Sequence, residues 1–220
     1  MEKVKCFFNF RSPYAYLGVK KAIEENIDME FFPLCYMPKE IVEFFVKASG
    51  NEYKRSYLYL DCDRLFKEIG IENVGDILSK EANWPKVHAA WLSASDNGLG
   101  NEFMMEAFNQ RWHQKNDLGN IEIISNICEK IGFNKDTALV AMDDSDFDDR
   151  LKSYTKIMRE YKVFGVPTFV YKGEIFWGQD RIYALKNKIN EQSLLIIPFS
   201  FSFKFIGITN FKFFMSPSPS

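Results

Sequence analysis

The sequence predicts an α/β fold in which a βαβ half and a ββα half are separated by an all-helical insertion. Two short apolar runs, Val4 to Phe10 and Met29 to Leu34, flank a segment of helical periodicity. A long stretch then carries helical patterning and no convincing strand. Strand character returns at "VPTFVYKGEIFWG", residues 166–178, and a last amphipathic segment follows it.

Val4 to Phe10 is short, apolar and bounded, as expected of a buried strand. From Pro13 to about Asn26, Tyr16, Val19 and Ile23 recur at helical spacing, while Lys20, Lys21, Glu24 and Glu25 supply a wet face. Met29 to Leu34, interrupted by Pro33, completes a βαβ unit, whose strands should be parallel and whose crossover should be right-handed. Helical spacing continues over Ile41 to Ala48, Lys54 to Ile69, Val87 to Asn97, Glu102 to Lys115, Ile121 to Ile131 and Phe147 to Tyr161. Glycines punctuate these segments. Thr168 to Tyr171 and Glu174 to Trp177 are β-rich runs joined by Lys172-Gly173, a hairpin signal, and Arg181 to about Asn190 reads as the last helix.

This order is the layout of a thioredoxin-like fold. It divides the chain into a thioredoxin-like domain, 1–38 with 155–192, a helical insertion domain, 39–154, and a tail, 193–220. The tail, "LLIIPFSFSFKFIGITNFKFFMSPSPS" after Ser193, is far more aromatic than the rest and is expected to pack weakly or be disordered. Pro198, Lys204, Asn210 and Lys212 interrupt it, so no membrane span is expected.

With 220 residues and 46% hydrophobic content the chain can fill a substantial core. Its formal net charge of −2, from 28 Lys+Arg against 30 Asp+Glu, recommends no nucleic-acid partner. The start of the chain is too short in apolar residues and too charged for a secretory signal, so a cytoplasmic protein is expected. Cys6, Cys35, Cys62 and Cys128 show no C-x-x-C spacing, and with only His88 and His113 beside them no metal site is expected.

Three short elements carry chemistry. In "NFRSPYAYLG", residues 9–18, Ser12 is a preferred N-cap and Pro13 a preferred first helical residue. The same geometry makes an anion site, because a helix N-terminus offers unpaired N–H groups and positive dipole character. A capping hydroxyl can accept from the backbone and still donate its own hydrogen to a bound thiolate. Val166-Pro167 opens a strand, and a cis bond there would expose the Val166 backbone to an extended peptide. Asp180 stands at the start of the last helix, either as a cap or as the partner of an ammonium group. An extended peptide bearing both an amine and a thiol would suit all three.

"FFNFRSPYAYLG", "FVKASGN", "YLYLDCDRLFKEIGI" and "VFGVPTFVYKGEIFWGQDR" together resemble the 2-hydroxychromene-2-carboxylate isomerases. These belong to a DsbA-like, thioredoxin-fold group that includes the kappa-class glutathione transferases. The resemblance runs in order from about Val4 to Asn190. It implies glutathione as cofactor, a small aromatic substrate and a homodimer. It places Ser12 at the glutathione sulfur, where redox relatives have their first cysteine. Val166 and Pro167 would then pair with the cysteinyl part, and Trp177, Gly178, Gln179 and Asp180 would meet the γ-glutamyl end. Lys47 and Asn51 match positions lining the substrate side.

The sequence also departs from that pattern. Asn9 stands where relatives commonly have Asp, the proline-rich continuation after Gly50-Asn51 is missing, and Val87-His88 replaces a frequent Asn-Thr pair. The site segment Ser12-Pro13-Tyr14-Ala15 lacks a resolving thiol, which argues against disulfide exchange. A glutathione-dependent isomerase is the leading expectation, because Gln179 stands where kappa transferases more often carry Ser. A kappa-like transferase, or a glutathione-binding protein without turnover, is the alternative.

Overall fold

The computed structural model describes residues 2–43, 51–75, 77 and 82–195. Lys47 and the tail beyond residue 195 lie outside the described residues.

Apolar alternation on both faces makes β1 (Val4–Phe8) the centre of a four-stranded sheet of order β2-β1-β3-β4. The helix α1 (Pro13–Glu24) crosses over to β2 (Met29–Pro33), which pairs parallel to β1 with Val4 opposite Met29. The second half returns as β3 (Thr168–Tyr171), antiparallel to β1, and β4 (Glu174–Trp177), antiparallel to β3. Lys172 and Gly173, both at positive φ, form the tight turn between them. This is the thioredoxin-like arrangement that the order of elements predicts.

Between the halves lie α2 (Glu52–Glu68), α3 (Trp84–Asp96), α4 (Gly100–Trp112), α5 (Ile121–Ile131), α6 (Lys135–Asp143) and α7 (Ser145–Glu160). The chain closes with a 3-10 turn, Gln179–Arg181, running into α8 (Ile182–Leu195). α7 is continuous through residues 154 and 155, and α8 continues past residue 192.

α6 is an element that the periodicity misses. It is nine residues long and buries only two small side chains, Ala138 and Ala141, so it shows no apolar stripe. Its signal is the cap: Asn134 accepts from the Thr137 N–H at 2.9 Å.

β1 packs on both faces. Val4, Cys6 and Phe8 point into a large core shared with α1, α3, α4 and α8, whereas Phe7 joins Phe32, Met158 and Val170 under the end of α7. The rings of Phe8, Phe10, Trp91, Phe108 and Tyr16 form a chain of edge and tilted contacts at 5.1–5.3 Å that ties the sheet and α1 to α3 and α4. The exit of β1 is therefore held rigidly from the helical side, and it is there that the chain turns into α1.

Candidate functional site at the end of the sheet

Register brings the predicted segments together. Phe7 opposes Thr168 in the antiparallel β1–β3 pair, so the exit of β1 lies beside Pro167. Thr168 opposes Trp177, and the Gly178 N–H donates to the Pro167 carbonyl at 3.0 Å, extending the β3–β4 ladder by one step. Ser12, Val166-Pro167 and Gly178–Asp180 thus converge at one end of the sheet. The Val166–Pro167 bond is cis.

Ser12 caps α1. With φ −85° and ψ 120° it accepts from the Ala15 N–H at 3.1 Å, and Pro13 fills the first helical position. Its own hydroxyl hydrogen has no partner among the described residues, and neither does the Tyr14 N–H. A half-buried hydroxyl donor and an adjacent backbone donor therefore face outward at the positive end of a twelve-residue helix.

The approach to Ser12 is built by Asn9. Its Nδ2 donates to the Leu34 carbonyl at 2.7 Å, its Oδ1 accepts from the Arg11 N–H at 2.8 Å, and its carbonyl accepts from the Ser12 N–H at 3.0 Å. An ionised Asp has no hydrogen to donate to Leu34. The amide thus anchors the turn to β2, a role not visible in the sequence.

On the opposite strand, Val166 is half-buried, and its N–H and C=O have no hydrogen-bond partner among the described residues. The loop leading to it is pinned where the Thr168 hydroxyl donates to the Gly165 carbonyl at 2.6 Å. The Phe164 and Trp177 rings, 39% and 49% exposed, pack at 4.7 Å and leave an apolar wall close by. Gly178 has φ 114°, in a region natural to glycine, and a Cβ there would meet Asp180 Oδ1 at 2.6 Å. Asp180 is exposed, and one carboxylate oxygen pairs with Arg181 at 3.0 Å. The sequence reading leaves it as a cap or an ammonium partner; the cap bond is not what its carboxylate makes.

Gly18 is a further residue that sequence reasoning passes over. A Cβ at Gly18 would meet Pro167 Cγ at 2.9 Å and Gln179 Cα at 3.3 Å. Here α1 approaches the cis-proline loop and the last turn closely, and a glycine inside a strongly helical segment was its available signal. Gly18→Ala gains about 1 kcal/mol in helix propensity but is expected to lose about 1–3 kcal/mol by overpacking. Urea unfolding should show net destabilisation, and a stabilised variant would contradict the close approach.

Not every predicted residue joins this group. Asn51 is the N-cap of α2, its Oδ1 accepting from the Lys54 N–H at 3.1 Å. α2 meets the site lower down, where the Tyr14 hydroxyl donates to Asp61 at 2.7 Å. Ten residues of helix place Asn51 roughly 15 Å along the axis from Asp61.

All four cysteines are free. Burial pushes the Cys62 thiol up to about 12 and Cys128 to about 11, and raises Cys6 and Cys35 as well. None is an activated thiol. No three His, Cys, Asp or Glu residues converge as a metal site among the described residues. Two surface cavities of about 470 and 450 Å³ lie among α3, α6 and α7, lined by neither Ser12 nor Val166.

Residues 3–190 match the DSBA-like thioredoxin domain family. The chain belongs to that family. Within it, a 2-hydroxychromene-2-carboxylate isomerase of Pseudomonas putida is 23% identical over 192 residues, covering 84% of this chain and 92% of the relative. A solved 2-hydroxychromene-2-carboxylate isomerase superimposes with a TM-score of 0.72 at 20% identity, covering 88% of this chain and 97% of its own. The cytosolic disulfide reductase DsbM of Pseudomonas aeruginosa, solved with GSH, superimposes with a TM-score of 0.60 at 13% identity, covering 86% and 100%. Where a DsbA-like oxidoreductase needs a thiol pair, this member of the family carries Ser12-Pro13-Tyr14-Ala15 at the start of α1.

Proposed function

We propose that the protein is a glutathione-dependent isomerase of the 2-hydroxychromene-2-carboxylate type, acting on an aromatic carboxylate. The observation that carries this reading is the pair of outward donors, the Ser12 hydroxyl and the Tyr14 N–H, at the N-terminus of α1 and at the same end of the sheet as the unpaired Val166 backbone. The isomerase names of similar proteins and the GSH-bound DsbM support it.

The residues fit the group. Val166 offers an N–H and a C=O to an extended peptide, as a strand edge does. Ser12 and Tyr14 offer two donors to a sulfur anion, and the helix dipole favours negative charge there. Gln179 and Asp180 face the amino-acid end, Asp180 as ammonium partner in place of Arg181, while Trp177 and Phe164 supply apolar contact. Bound there, glutathione supplies a thiolate that adds reversibly to a conjugated substrate and so permits rotation about the bond.

Ser12 holds its hydrogen toward the sulfur while Ala15 fixes the oxygen, so the donor is oriented before anything binds. Lys47 is assigned to the substrate carboxylate by its charge and by the resemblance. Asn51 is assigned to the same side through its amide hydrogens. The four unpaired thiols suit the reducing compartment where glutathione is abundant, and we assign the protein to the cytoplasm. No helix among the described residues is long and apolar enough to cross a membrane.

The test is the interconversion of 2-hydroxychromene-2-carboxylate with its ring-opened isomer, followed by ultraviolet absorbance with and without glutathione. Turnover that requires glutathione is the expected result. Conjugate formation with electrophiles and no isomerisation would replace this reading with a transferase. Binding without either reaction would leave a glutathione-binding protein.

A further inference from the structure

His88 is fully buried in α3, yet both of its ring nitrogens are engaged. Nδ1 lies 2.7 Å from the Trp84 carbonyl. A carbonyl only accepts, so the hydrogen is on Nδ1 and Nε2 keeps its lone pair. That lone pair accepts from the Phe10 N–H at 3.2 Å, across 78 residues of sequence. The ring also packs against Phe10 at 4.6 Å and Phe8 at 5.5 Å.

The bond falls at a sensitive place. β1 ends at Phe8, so the Phe10 amide lies beyond the ladder, in the connection that delivers Ser12 to the head of α1. Asn9 closes that connection internally and to β2, but it does not hold Phe10. A buried imidazole among aromatic rings is tolerated only when fully paired, and its one long-range pairing is with this backbone group.

We propose that His88 is a positioning residue for Ser12: its Nε2 holds the Phe10 amide and so sets where the Ser12 hydroxyl stands. The catalytic consequence rests on the proposed function, in which that hydroxyl meets a glutathione thiolate. A side chain that only filled space would need no acceptor at this position.

Two polar variants separate holding from filling. In His88→Gln the side-chain oxygen reaches the Phe10 amide as Nε2 does. In His88→Asn the shorter amide keeps a donor for Trp84 and withdraws the acceptor. In the protein without glutathione, nitrogen NMR should show the Nδ1–H tautomer, and hydrogen exchange should show a protected Phe10 amide. His88→Asn is expected to speed that exchange and, with glutathione bound, to raise the thiolate pKa by about one unit, a tenfold loss of thiolate near neutral pH. His88→Gln should restore both to near wild type.

An Nε2–H tautomer, or a Phe10 amide that exchanges equally slowly in both variants, overturns the proposal. So does equal thiolate pKa in the two variants alongside a lowered one in wild type. If wild type itself leaves the glutathione thiol unshifted, the thiolate reading fails instead, and the tautomer and Phe10 exchange still decide what His88 holds.

Discussion

Ser12→Ala is expected to lower glutathione-dependent turnover by about 10²- to 10³-fold, the usual loss when one oriented donor to a developing or bound anion is removed. The variant leaves Val166, Trp177 and Asp180 in place, so glutathione should still bind. Its sulfur would be held as a thiol and not as a thiolate. A second consequence is structural: the Ala15 N–H loses its capping acceptor, which costs about 1 kcal/mol of stability. Turnover should therefore be compared well below the unfolding midpoint. Ser12→Thr keeps a hydroxyl able both to cap and to donate, and should keep most of the activity. Equal loss in the two variants would locate the effect in packing and not in the hydroxyl.

The largest effect on stability is expected from acid. Burial drives His88 down from an ordinary 6.5 to about 4, with its bond to the Trp84 carbonyl working weakly the other way. A histidine whose folded pKa is depressed contributes its full stability above the unfolded pKa. As pH falls from 6.5 toward 4, only the unfolded chain takes up the proton, so stability is lost; below 4 the loss is complete. The window amounts to about 3 kcal/mol.

The rings of Phe8 and Phe10 pack against His88, and among the described residues no carboxylate pairs with it to stabilise a buried imidazolium. His113 is also lowered by burial, then by Lys20, and acts in the same direction. Glu25, held down by its bond to Lys186, and Asp148, held down by Lys152, act below their ordinary values of 4.5 and 3.8. Urea midpoints at about pH 7 and about pH 4.5 for wild type and His88→Gln isolate the His88 part, since only wild type should lose it. Parallel acid losses in both proteins would contradict the assignment.

Much of the fold was legible because its signals are local. The β-rich runs at β3 and β4, the Lys172-Gly173 turn and the Ser12-Pro13 cap lie within a few residues each. The convergence of Ser12, Val166-Pro167 and Gly178–Asp180 was legible only through a thioredoxin-like order of elements and the family resemblance, which join segments far apart in the chain.

The residues that shape the site are another matter. Gly18 matters because of Pro167 and Gln179, and His88 because of Phe10, contacts across 149, 161 and 78 positions of the chain that no local pattern encodes. Asn9 reads in sequence as a charge lost relative to similar proteins, whereas its amide donates to Leu34 in a bond that an ionised carboxylate would not make. α6 was hidden because small alanines bury little area and leave no periodic stripe.

The most direct test of the central claim is a pH titration of glutathione bound to the wild-type protein, read by thiolate absorbance and compared with Ser12→Ala. The predicted result is a bound thiol that ionises at least one pKa unit below free glutathione, with most of that shift lost in Ser12→Ala. A bound thiol that titrates like the free one in both proteins would contradict thiolate stabilisation by Ser12 and the head of α1.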